Sequence, residues 1–233
     1  MSAETDRLQA GETSRAIRIP TGSVTLDGEL IVPPDTAGLV IFACCGGGLS
    51  SPRQQRVAQL LRKAGLGTLS FDLLTPEEGA QEKEAGRLSF NIGLLTQRLA
   101  CAAHWVAEED EARHQRLGIF GTATGAGAAL VAAADIGKAI GAVVSCSGRP
   151  DLAGNALRRV KAPTLMVVGE RDEDILELNE EAYDMLGCEK TLAIIPGATQ
   201  LFEEMGASEE VARLAADWFI EHLMPFSGAR YRR

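Results

Sequence analysis

Short apolar runs alternate with longer segments of helical period along most of this chain. Residues 39–45, Leu-Val-Ile-Phe-Ala-Cys-Cys, are apolar throughout, as in a strand buried on both faces. Further strands are expected at 15–19, 24–32, 67–73, 117–121, 140–145, 165–168 and 192–195. Helical spacing marks 52–64, with Val57, Leu60 and Leu61 on one face, and 91–108, with Ile92, Leu95, Leu99, Ala102 and Val106 on one face. Segments 124–134, 175–186 and 209–223 complete the helices. The first two strands meet at a turn over 20–23, which makes the start antiparallel. The β-α-β alternation that follows predicts an α/β fold: a mostly parallel central sheet with helices on both faces. Residues 75–90 are polar and charged and read as a surface loop or a small lid.

The length of 233 residues suits one domain, expected over 15–224, between a flexible N-terminus (1–14) and a tail (225–233). The formal charge of −9 disfavours nucleic acid and anionic lipid as partners. No stretch is apolar for long enough to span a bilayer, and the polar first 14 residues lack the apolar core of a signal peptide, so a cytoplasmic location is expected. The five cysteines, Cys44, Cys45, Cys101, Cys146 and Cys188, are an odd, sparse set that reads as thiols rather than a disulfide framework.

Gly121-Thr122-Ala123-Thr124-Gly125 follows a strand and opens a helix. Its spacing is that of G-x-S-x-G, the turn that presents a nucleophilic serine. Here the central position is Ala123, whose methyl group cannot attack a carbonyl. With this turn, three stretches resemble the dienelactone-hydrolase-like family of α/β hydrolases: Phe71-Asp72-Leu73-Leu74-Thr75-Pro76-Glu77-Glu78, Gly148-Arg149-Pro150-Asp151-Leu152-Ala153-Gly154, and Pro196-Gly197-Ala198-Thr199-Gln200-Leu201-Phe202. The resemblance implies an α/β-hydrolase fold over about 39–223. It also implies that Ala123 stands where the family has Ser or Cys, Gln200 where it has the His base, and Cys44-Cys45 where a His-Gly loop begins. Asp172 matches the triad acid, and Arg149 and Asp151 match a motif that braces a loop. An amide takes no proton near neutral pH, so a conventional serine-hydrolase mechanism is excluded. Thr122 and Thr124 are expected to bond within the turn. His104, His114 and His222 are expected to be surface or capping residues.

Cys44, Cys45 and Cys146 end strands that flank the turn in this fold. One reading makes them small buried hydrophobes. The sharper reading is a repurposed site. In it, the backbone N–H groups of Cys45 and Thr124 form an oxyanion hole, the helix start favours thiolate, and the thiols hold a soft metal ion or an iron–sulfur cluster or react with an electrophile. Three functions remain open: a small-molecule binding protein without hydrolysis, an enzyme of thiol or metal chemistry, and a residual thiol-dependent esterase or lactonase. The oligomeric state is open, with a homodimer as one option.

Overall fold

The computed structural model describes residues 12–34, 36, 38–45, 52–110 and 112–224. The expected tail and most of the expected N-terminus lie outside these residues. Eight strands form one sheet: β1 (Thr13–Thr21), β2 (Val24–Val32), β3 (Gly38–Cys44), β4 (Gly67–Asp72), β5 (Arg116–Ala123), β6 (Ile140–Gly148), β7 (Thr164–Gly169) and β8 (Lys190–Ile195). Their spatial order is β1-β2-β4-β3-β5-β6-β7-β8. β2 runs antiparallel to β1 and β4, and β3 to β8 are parallel. This is the mostly parallel sheet that the apolar runs predict.

The helices are α1 (Pro52–Lys63), α2 (Pro76–Ala85), α3 (Ile92–Glu108), α4 (Thr124–Ile136), α5 (Glu173–Met185) and α6 (Ala207–Leu223). Leu95 and Leu99 of α3, Ala128 and Leu130 of α4, and Ala182 of α5 pack on one face of the sheet, against Leu39, Ile41 and Ile119. Val57 and Leu61 of α1 and Val211, Ala215 and Phe219 of α6 cover the other, against Val40, Phe42 and Phe120. Adjacent strand residues therefore serve different layers, as a pleated strand requires.

Within the segment 75–90, expected as a surface loop or a small lid, residues Pro76–Ala85 form a helix rather than a loop. Thr75 caps α2, its side chain accepting from the Glu78 N–H at 3.2 Å while the Glu78 carboxylate accepts from the Thr75 N–H at 2.9 Å. This reciprocal pair satisfies two N–H groups that an uncapped helix start leaves open. Pro76 opens the helix, and Gly86 closes it in a left-handed conformation at φ 59°. α2 is pinned from below by Arg98 of α3, which is 3% exposed. The Arg98 guanidinium donates to the Leu73 carbonyl at 2.6 Å and grips both oxygens of Glu78 at 2.6 and 2.7 Å.

Candidate functional site

β5 runs directly into α4 through Ala123, which has φ 48° and ψ −128°. A residue with a Cβ gives up about 1–3 kcal/mol to hold such a conformation. The surrounding glycines are a steric requirement of the turn. A Cβ on Gly121 would lie 2.6 Å from the Ala126 Cα, and one on Gly125 would lie 2.2 Å from the Ala43 carbonyl oxygen. The turn carries Ala123 out of the packed interior, so its methyl group is exposed. The Arg149 N–H donates to the Ala123 carbonyl at 2.9 Å. Arg149 is held by Asp151 through two hydrogen bonds of 2.8 and 2.7 Å, the bracing that the motif implies. If the turn stores strain, Ala123→Gly should relieve it. Chemical denaturation is expected to show a gain of about 0.5–1 kcal/mol, whereas a loss would mean that the turn holds none.

The first N–H groups of α4, which starts directly after Ala123, have no partner within the helix. Asp172 follows β7 and starts α5. Gln200 follows β8 and is exposed. The sheet thus brings Ala123, Asp172 and Gln200 to the C-terminal ends of β5, β7 and β8, where an open parallel sheet carries its site. The Oδ2 of Asp172 is buried and accepts no hydrogen bond. Burial and the neighbouring Asp174 carboxylate raise the pKa of Asp172 above the ordinary carboxyl value. His114 precedes β5, and His222 lies in the last turn of α6, whose end packs on Gly38, Gly118 and Gly141, toward the N-terminal ends of β3, β5 and β6. His104 sits exposed on α3.

The cysteines do not converge. Cys44 and Cys146, 1% and 2% exposed, are buried in the layer under α1 and α6. Cys45 is half-buried and packs against the other layer. Thr122 and Thr124 bond to thiols rather than within their own turn. Thr122 Oγ1 donates to Cys44 Sγ, and Thr124 Oγ1 to Cys45 Sγ, both at 3.7 Å. Among the described residues no three His, Cys, Asp or Glu side chains are placed to hold a metal ion. The soft-metal or iron–sulfur site expected at Cys44, Cys45 and Cys146 is therefore not formed, because strand alternation sends the first two to opposite faces. Cys146 instead borders a cavity of about 10 Å³ behind the turn, with Gln54, Phe120, Thr122 and Phe202. That is room for about one water.

The thiolate expectation also fails at Cys45. Burial pushes its thiol up to about 11, with Asp72 and Glu82 adding to the rise and the Thr124 hydroxyl opposing it. Desolvation outweighs the hydrogen bond from Thr124. Alkylation of Cys45 by iodoacetamide, followed by peptide mass spectrometry, should be slow at neutral pH and climb about tenfold per pH unit until the pH approaches that value. A plateau near pH 7 would contradict this. Glu78, Arg98 and Gln54 escape a reading of the sequence for chemistry, although Thr75-x-x-Glu78 is a capping signature.

A profile of the dienelactone hydrolase family matches residues 28–219. The chain belongs to the dienelactone hydrolase family. Its structure is similar to a dienelactone hydrolase from Anabaena variabilis, at 45% identity and TM-score 0.88, covering 91% of this chain and 99% of that one. It also shares its fold with P91, a dienelactone hydrolase-like promiscuous phosphotriesterase from metagenomic libraries, at 16% identity and TM-score 0.75, covering 92% and 100% of the two chains. Two Mycobacterium tuberculosis proteins, from strains CDC 1551 and H37Rv, are 48% identical over 208 residues, or 89% of this chain. Both are provisionally named phosphoribosyl transferases, and the chain spans 46% of their length. The fold is the α/β-hydrolase fold. Among the described residues no helix is long and apolar enough to cross a membrane.

Proposed function

We propose that this member of the dienelactone hydrolase family binds a small molecule at the C-terminal edge of its sheet and does not hydrolyse it. The observation that carries this reading is Ala123. It holds the strained conformation of a nucleophile turn, φ 48° and ψ −128°, with no atom that can attack. The acid position supports the same reading. Asp172 keeps a buried oxygen without a hydrogen-bond partner, where a working triad would supply an imidazole N–H. What remains of the machinery is a receptor. The N–H groups that open α4 favour a carbonyl or anionic oxygen, and Asp172 offers an acceptor for a donor group on the same ligand. The name of the M. tuberculosis relatives makes a phosphorylated ribose one ligand to try, although more than half of their length lies beyond this chain. Thiol chemistry is less well supported, since Cys44 and Cys146 are buried and Cys45 is protonated at neutral pH.

The test rebuilds the missing chemistry. Ala123→Ser alone should leave p-nitrophenyl acetate turnover close to the wild-type background, because no base takes the serine proton. Ala123→Ser with Gln200→His restores an acceptor, and a positioned base contributes about 10²–10⁴-fold. The double variant is therefore expected to exceed the background by about 10²-fold. Ester turnover by the wild type equal to that of the double variant would overturn the reading.

A further inference from the structure

The two edges of the sheet are built differently. β1, at one edge, carries Arg15, Arg18 and Pro20. Arg18 pairs with Asp27, and Arg15 pairs with Glu109 and lies over the Trp105 ring. Charged side chains and a proline are the usual devices that stop an edge strand from pairing with another chain. β8, at the other edge, has no proline and a single charged residue. Its sequence is Lys-Thr-Leu-Ala-Ile-Ile, and its one charge is turned inward. Lys190 Nζ donates to the carbonyls of Tyr183 and Leu186 at 2.5 and 2.9 Å, closing the C-terminal end of α5. Ile194 is 43% exposed, and no described strand pairs with the outer side of β8.

We propose that β8 pairs with β8 of a second copy of this chain, antiparallel about a twofold axis, so that one sheet runs through a homodimer. The charges at the ends of the strand favour this occupant. At the N-terminal end stands Glu189, 63% exposed, with His222 of α6 as its neighbour at 3.8 Å. At the C-terminal end stands the exposed Arg171, 4.0 Å from the position a Cβ on Gly197 would take. Arg171 also lies in the field of Glu204, while Glu170 is engaged by the Gly197 N–H at 2.6 Å. Antiparallel pairing brings the N-terminal end of one β8 beside the C-terminal end of the other. It therefore sets Glu189 of each copy toward Arg171 of its mate, twice over, as an isologous interface requires. A parallel neighbour would set Glu189 beside Glu189. Main-chain hydrogen bonds would supply the affinity, and the two charge pairs the register.

The test is light scattering on the full chain over a concentration series, with hydrogen exchange read on β8. The wild type is expected to be a dimer with protected β8 amides. Ile194→Lys, a change at an exposed position, is expected to give a folded monomer with those amides unprotected. Glu189→Arg should weaken the dimer by at least tenfold, and adding Arg171→Glu should recover it. A monomeric wild type would overturn the proposal. So would a dimer that survives Ile194→Lys, leaves β8 unprotected, or ignores the charge exchange.

Discussion

Replacing Gly125 with alanine is expected to abolish folding. The new Cβ would sit 2.2 Å from the Ala43 carbonyl oxygen and 2.9 Å from its carbon, both backbone atoms of a fully buried central strand. Neither side can yield cheaply. α4 is fixed at its start by the turn at Ala123, and Ala43 is paired to β4 and β5 on its two sides. Destabilisation of about 5 kcal/mol or more is expected, at the far end of what one substitution does and comparable to the whole stability of many domains. Soluble yield and thermal unfolding by circular dichroism would show it. Gly79, in α2, is the matched control. A Cβ there meets nothing within 4 Å, so Gly79→Ala should stabilise the protein by about 0.5–1 kcal/mol through helix propensity. If both substitutions were tolerated alike, close approach at the turn would not be what demands glycine.

Glu78→Ala should also be costly, by about 3–5 kcal/mol, and for a different reason. It strips the carboxylate from a guanidinium that is 3% exposed and leaves it the hydrogen bond to the Leu73 carbonyl. It also removes half of the cap on α2. The pH dependence separates the charge from the cap. The hydrogen bonds from Arg98 hold the Glu78 carboxyl below its ordinary value, with burial opposing them. A depressed folded pKa stabilises above the unfolded pKa and loses that contribution as the pH falls through the folded one. Glu78→Gln, which keeps a side-chain acceptor for the cap, should therefore be less stable than the wild type at pH 7 and approach it at strongly acidic pH. Urea midpoints at the two pH values would show this. A constant difference between the variants would assign the stabilisation to shape rather than charge.

Much of this architecture is legible in the sequence, because each parallel strand is an apolar run and each packed helix an apolar stripe. α2 is not, because its sequence, Pro-Glu-Glu-Gly-Ala-Gln-Glu-Lys-Glu-Ala, carries no apolar stripe. It is held by Thr75, Glu78 and a cation from a helix that begins at residue 92. The turn at Ala123 is legible from its two glycines, whose spacing follows from close contacts with Ala126 and Ala43. The order Ala123, Asp172, Gln200 is legible from the family resemblance, and the sheet topology places all three at one edge. The cysteines mislead. Their nearness in sequence to strand ends suggests one cluster, but the alternation of a pleated strand separates Cys44 from Cys45 at once. The protonation of Cys45 was beyond reach, because it depends on burial and on Asp72 and Glu82, brought there by other segments.

The central claim is that the nucleophile turn survives in shape and not in chemistry. It is tested most directly by intact-mass spectrometry of the wild-type protein after incubation with excess p-nitrophenyl acetate and, separately, an organophosphate. The account predicts an unmodified mass in both and p-nitrophenol release at the rate of buffer alone. A stoichiometric acyl or phosphoryl adduct on this chain, with saturable release of p-nitrophenol, would contradict it.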